Sequence, residues 1–300
     1  MSTVIKIGGG TLRGENDFLQ IEKLVKKVYG KVILVVSALP EITNKLINAY
    51  LQIKKKDFDS NKFVSEIKKQ HFDYMGYIKD FDSRTICGQK IMNKINSLES
   101  VLIYMIENED VGLVEKELLQ SYGERLSVIL LKYFLLSKGI DCESFESEEA
   151  GIVCSGDFEH AIINEYETSV HLKNIIGLEK KVIIFTGFYG VDDKDLVKTF
   201  GRGGTDYSAC VLAKIFGAKL LFLKNTLLME IDPKLGESPP ILSIGYDAFI
   251  DSVRGGNIIM QLKALEYLKL NNISFEIINI TDFSITVCKG LEYKNTSNVF

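Results

Sequence analysis

The run "KTFGRGGTDYSACVLA", Lys198 to Ala213, places a guanidinium, three glycines and a carboxylate just ahead of a helical pattern. Apolar Ala209, Leu212, Ala213 and Phe216 have helical spacing, so Thr205 and Asp206 fall near a helix N-terminus. Either side chain is a good cap there. A cap, however, has no use for Arg202 or for bare backbone at Gly201, Gly203 and Gly204. Glycine admits close approach to a ligand, a helix N-terminus favours anions, and arginine grips a carboxylate with two parallel bonds. The chemistry suggested is anion holding beside one fixed carboxylate. A second glycine turn, "KIGGGT" (Lys6 to Thr11), leaves a strand whose Lys6 either snorkels to solvent or is buried against an anion. Together the two turns read as a site where two anions are brought together. Neither is a dinucleotide fingerprint or a Walker A loop, since the required glycine and Gly-Lys-Ser/Thr are missing.

Alternating strands and helices position these turns. "VIKIG" (Val4 to Gly8) and "KVILVVSA" read as buried strands, with a helix over Leu19 to Tyr29 between them. "ERLSVILLKYFLLSKG" reads as a helix ending at Gly139, and Val182 to Phe185 and "AKLLFLKN" as further strands. "LSIGYDAFIDSV" marks a helix start, and "FEIINI" and "SITVCK" two final strands. The alternation predicts an α/β fold with a mostly parallel sheet covered by helices. Residues ~50 to ~120 are rich in lysine and glutamate with helical periodicity, and are read as a helical insertion.

The 300 residues suffice for one large α/β domain, and the 46% hydrophobic content supplies its core. A net charge of −4 gives no global field for nucleic acid, so an anionic ligand must be held by local cations. Five scattered cysteines with no CxxC pair suit free thiols in a reducing cytosol, and three isolated histidines give no metal site. Without a signal peptide or a run of ~18 apolar residues, a cytoplasmic chain with no membrane contact is expected.

Five ordered motifs resemble those of aspartokinases, in the amino-acid kinase superfamily. "KIGGGT" is similar to KFGGTS, "VVSALPEITNKLI" to VVSAMxGVTNxLI, and "SYGERLSVILL" to the GERLS helix. "FTGFYG" is similar to TGFIG, and "TFGRGGTDYSA" to TLGRGGSDYSA. The resemblance implies transfer of the ATP γ-phosphate to the β-carboxylate of L-aspartate, the first step towards lysine, threonine and methionine. It implies a three-layer, doubly wound, mostly parallel central sheet and one kinase domain over 1–300: an acceptor lobe over about 1–180 that includes the helical insertion, and a nucleotide lobe over about 181–300. By position, Arg202 binds the acceptor α-carboxylate and Glu124 its ammonium, with Thr43, Gly203 and Thr205 completing the pocket. Without the resemblance, Glu124 reads equally as an exposed helix glutamate paired with Arg125 or a lysine. Lys6 corresponds to the lysine that neutralises the transferring phosphoryl group, and Asp206 to the aspartate that orients it. Gly8, Gly9, Gly10, Lys224 and Lys234 are assigned to the phosphates. Mg²⁺ is expected to ride on the phosphates with few protein ligands.

The nucleotide half departs from the family pattern. Anchored on Asp232-Pro233, the usual Thr-Asp pair becomes Leu223-Lys224, the glycine Leu227 and the tyrosine Met229. In "GGNIIMQ", matched to GAKVLHP, Asn257 replaces the ATP-contacting lysine. Lys224 is a candidate to supply the lost charge. Three readings follow: an aspartokinase, a relative with another acceptor or nucleotide, or a weakly active aspartate-binding paralogue. The ACT regulatory domains of the family are not expected, nor therefore inhibition by lysine or threonine. Any homodimer would use kinase-domain surfaces.

Overall fold

The short β-branched runs form the strands of a central sheet. A computed structural model describes residues 2–108, 110–229, 239–256 and 259–289. The first half runs β1 (Ser2–Ile7), α1 (Glu15–Lys27), β2 (Lys31–Val36), α2 (Ile42–Lys54), α3 (Ser60–Met75), α4 (Phe81–Glu107) and α5 (Leu113–Ser137). Next come β3 (Cys142–Phe145), α6 (Ser147–Ala150), β4 (Cys154–Ser155), β5 (Ile162–Ile163), α7 (Glu165–Ile176) and β6 (Val182–Thr186). The second half holds β7 (Tyr189–Val191), β8 (Val197–Thr199), α8 (Gly204–Phe216), β9 (Lys219–Lys224), β10 (Ser243–Gly245), α9 (Tyr246–Arg254), α10 (Leu262–Leu270), β11 (Phe275–Asn279) and β12 (Ile285–Lys289).

Eight strands form one sheet in the order β10-β12-β11-β9-β1-β2-β6-β3. All its pairs are parallel except β11 with β12. The expected mostly parallel, doubly wound α/β fold is the one observed. From β1 the chain builds outward first through β2 and later through β9, which makes β1 the switch point. Open α/β sheets bind ligands at the carboxyl ends of strands at such a point.

Strand side chains alternate between faces. Ile5 and Ile7 join one apolar cluster with Phe18 and Ile21 of α1, Leu46 of α2 and Leu131 of α5. Val4, Ile33 and Val35 join the opposite cluster, under α8 and α10. Lys6 shares the parity of Val4 and therefore points toward α8.

The helical region is longer than ~50 to ~120, because α2 and α5 overrun its ends. Buried Cys87, Ile91, Ile95, Leu98, Leu102 and Met105 recur every three or four residues along α4, the stripe of a helix packed on one side. Asp59 and Asp80 cap α3 and α4 by accepting backbone N–H bonds from Lys62 and Ser83. Helix α5 starts at Leu113, not at the GERLS run, which puts Glu124 in mid-helix. Strand β3 was not foreseen, because "CESF" lacks the apolar run of a buried strand; it lies at the sheet edge beside β6. The β10 strand likewise precedes α9 where only a helix start was read. All five cysteines are buried free thiols. No helix among the described residues is long and apolar enough to cross a membrane.

Candidate active site

Three loops at the carboxyl edge of the sheet surround a cleft of about 630 Å³. Lys6, Gly9 and Gly10 reach it from β1, and Thr43 from the start of α2. Glu124 enters from α5, and Arg202, Gly203 and Thr205 from the turn before α8. The two separated glycine turns therefore open into one cleft.

Lys6 does not snorkel. It is 7% exposed, and its ammonium lies 2.7 Å from Asp206 Oδ1. Gly8 makes room for that ammonium: a Cβ there would stand 2.9 Å from Lys6 Nζ. Gly8 itself does not line the cleft. Lys224, at the end of β9, approaches Asp206 Oδ2 at 3.5 Å, so one carboxylate is shared by Lys6, which lines the cleft, and Lys224, which does not. Burial would raise the Asp206 pKa, but the charges of Lys224 and Lys6 outweigh it and hold the group below the ordinary aspartate value. Burial, with the Lys6 charge added, pushes Lys224 down to about 8 against the pull of Asp206. Lys234, Asp232-Pro233 and Asn257 lie outside the described residues.

Capping does not explain the Thr-Asp pair. The N-cap of α8 is Gly203 at φ 76°, with no side-chain cap bond, and Thr205 and Asp206 sit inside the first turn. Only glycine suits position 203, because a Cβ would fall 1.9 Å from Gln261 Cγ. Thr205 Oγ1 accepts a 2.9 Å bond from the Ser37 hydroxyl.

Glu124 is buried, which corrects the reading of an exposed helix glutamate. Arg125 is committed elsewhere, to Glu146 and Glu148. Gly123 brings α5 against the loop after β2, since a Cβ there would meet Ala38 Cβ at 2.6 Å. The Ala38 N–H can then donate to Glu124 Oε1 at 3.0 Å. Glu124 Oε2 is buried without a partner among the described residues. Burial pushes the carboxyl up to about 8, only partly opposed by the Ala38 amide and the Lys6 charge. A buried, half-satisfied carboxylate beside a cleft is a ready acceptor for a cationic donor. Arg202 is exposed and makes no ion pair among the described residues.

Ser37, Glu41, Gln120 and Glu159 are among the cleft residues that sequence reading missed. Gln120 stands four residues before Glu124 on the same helix face, a spacing that gave a usable signal. Glu41 stands where the quoted family pattern has glycine, and keeps the left-handed backbone, φ 65°. Among the described residues no three His, Cys, Asp or Glu side chains group closely enough to hold a metal ion.

A model of the amino acid kinase family matches residues 1–279. Aspartokinase 3, chloroplastic, of Arabidopsis thaliana is 26% identical over 292 residues, which is 93% of this chain and 51% of that protein. The aspartokinase of Bacillus sp. (strain MGA3) is 30% identical over 166 residues, 54% of this chain and 40% of that one. The chain thus spans about half the length, or less, of these curated relatives. The structure of E. coli aspartokinase III in complex with aspartate and ADP superposes with a TM-score of 0.84 at 18% identity, covering 98% of this chain and 66% of that one. Clostridium acetobutylicum aspartate kinase gives a TM-score of 0.74 at 19% identity, covering 97% and 63%. At these identities the superpositions speak to the fold alone.

Proposed function

The chain belongs to the amino acid kinase family, and on that premise we propose that it transfers the γ-phosphoryl group of ATP to the side-chain carboxylate of L-aspartate. The observation that carries this reading is the buried Glu124 Oε2, without a partner among the described residues, beside the cleft that Arg202 and Lys6 also line. Glu124 accepts the α-ammonium of the acceptor, and Arg202 grips its α-carboxylate. Thr43, Thr205 and the backbone at Gly203 close around it. The side-chain carboxylate is thereby directed toward Lys6.

A carboxylate is already ionised near pH 7, so no general base is needed. One of its oxygens forms the new bond to the γ-phosphorus as the bond to the ADP oxygen breaks. Positioning and charge neutralisation are the chain's main contribution. Lys6, held by Asp206, meets the transferring phosphoryl group, while Lys224 and the Gly8–Gly10 turn serve the remaining phosphates. With both Asp206 oxygens facing lysines, Mg²⁺ has no protein cage at this carboxylate and would be carried by the nucleotide.

A second reading keeps the acceptor and changes the nucleoside triphosphate. It draws on buried Leu227, which stands where the family pattern has glycine in the nucleotide segment. One experiment tests both: nucleoside diphosphate release from a panel of triphosphates, with L-aspartate or other carboxylates, trapping the acyl phosphate as a hydroxamate. Aspartate-dependent hydroxamate with ATP supports the first reading, and the same product with another triphosphate supports the second. Hydroxamate only with another acceptor overturns both.

A further inference from the structure

The turn that carries Arg202 is bracketed by a buried carboxyl group and a half-buried ammonium on helices from opposite faces of the sheet. Glu117, on α5, is fully buried, and each of its oxygens takes one backbone amide. Glu159 N–H donates to Oε1, and Thr199 N–H to Oε2 at 2.5 Å. Lys263, on α10, donates to the Ala161 carbonyl at 3.0 Å and the Phe200 carbonyl at 3.1 Å. The carboxylate thus binds N–H groups, and the ammonium C=O groups, of the same two segments, residues 159–161 and 199–200.

These segments are also fitted to each other. Ala161 N–H donates to Thr199 O at 3.1 Å. Gly201, at φ 77°, leaves no space for a side chain, since a Cβ would lie 2.4 Å from Glu159 O. Glu159 holds a left-handed φ of 63°, and its carboxylate is paired with Lys116 at 2.6 Å. A strained non-glycine backbone persists only where its surroundings over-determine it. Lys263 also lies 4.5 Å from the centre of the Tyr207 ring, which anchors it against α8. Neither Glu117 nor Lys263 lines the cleft.

We propose that Glu117 and Lys263 are positioning residues: a two-sided brace that sets the Arg202 turn at the height required to grip the acceptor. Resting on the acceptor role given to Arg202 above, the brace acts on acceptor capture and leaves the Lys6–Asp206–Lys224 group alone. A carboxamide at position 117 keeps one amide bond and sets an N–H against the other amide. A leucine keeps neither. Arginine at 263 retains donors for both carbonyls, and methionine has none.

Two measurements test this on the full chain. Hydrogen exchange of the backbone over 156–163 and 197–204 is expected to quicken at least tenfold in E117L and K263M, with β1 and β9 still protected and K263R close to wild type. This readout is independent of substrate identity. Unchanged exchange in those segments, or equal loosening of β1 and β9, overturns the brace. In steady-state kinetics, E117L and K263M are expected to raise the KM for L-aspartate at least tenfold, E117Q about threefold, with kcat for the folded protein within about threefold. A fall in kcat at unchanged acceptor KM also overturns it. If wild type shows no turnover with aspartate, the functional reading fails while the exchange result still decides the brace.

Discussion

Replacing Glu124 by glutamine is expected to move stability and affinity in opposite directions. The carboxyl is pushed from its ordinary 4.5 up to about 8 by burial. For an acid whose folded pKa is raised, the penalty is absent below the unfolded value. It grows as pH rises toward 8 and is constant above. The raised pKa costs the folded chain roughly 2 kcal/mol at pH 6, where the group stays protonated, and roughly 4–5 kcal/mol at pH 9, where it is ionised. Glutamine removes that cost but leaves a buried NH₂ where Oε2 has no partner among the described residues, a loss of about 1–3 kcal/mol. The two nearly cancel at pH 6. At pH 9 a net gain of about 2–3 kcal/mol remains, on the order of 4 °C in Tm for a chain of this size. On the acceptor role proposed for Glu124, the same change deletes the anion that would receive the acceptor ammonium. A hydrogen bond to a charged group is worth about 1.5–3 kcal/mol, so the KM for L-aspartate should rise about 10- to 150-fold. Thermal melts at pH 6 and 9, with acceptor titrations at pH 8, check both halves. A variant no more stable at pH 9 than wild type, with unchanged acceptor KM, would refute the reasoning.

Three further outcomes follow from the lysine pair. Lys224→Ala should raise the KM for the nucleotide about 10- to 100-fold, the order lost with one charge-assisted phosphate contact; an unchanged value removes Lys224 from the phosphate site. The Lys224 ammonium, pushed down to about 8, loses its proton as pH rises through that value. Nucleotide KM should therefore climb between pH 7.5 and 9 in wild type but stay flat in Lys224→Arg, where the charge persists; parallel profiles would contradict the assignment. Gly8→Ala should cut kcat at least tenfold with little change in acceptor KM, because the new methyl occupies the space of the Lys6 ammonium, 2.9 Å away. Wild-type kcat in that variant would show that Lys6 is not held there.

Much of this geometry was legible in the residues. The β-branched runs gave both central strands, and the two glycine turns pointed to the cleft into which both open. Alternation within β1 already implied which face Lys6 takes, though not its partner. The burial of Glu124 was not legible: it depends on Gly123 drawing α5 onto Ala38, a contact between residues far apart in sequence. The same holds for Glu117 and Lys263, whose backbone partners are set by loop geometry that no periodicity encodes. Lys224 was noticed as an addition. Its sharing of Asp206 with Lys6 emerged only from the adjacency of β1 and β9.

The central claim is that the acceptor's own side-chain carboxylate is steered onto the phosphoryl group between Lys6 and Arg202. Phosphorus NMR of the product made from ATP and L-aspartate labelled with ¹⁸O in the side-chain carboxylate tests it most directly. The expected result is an acyl phosphate signal displaced upfield by a bridging ¹⁸O. An acyl phosphate without that displacement, or inorganic phosphate formed at the same rate with and without aspartate, would contradict it.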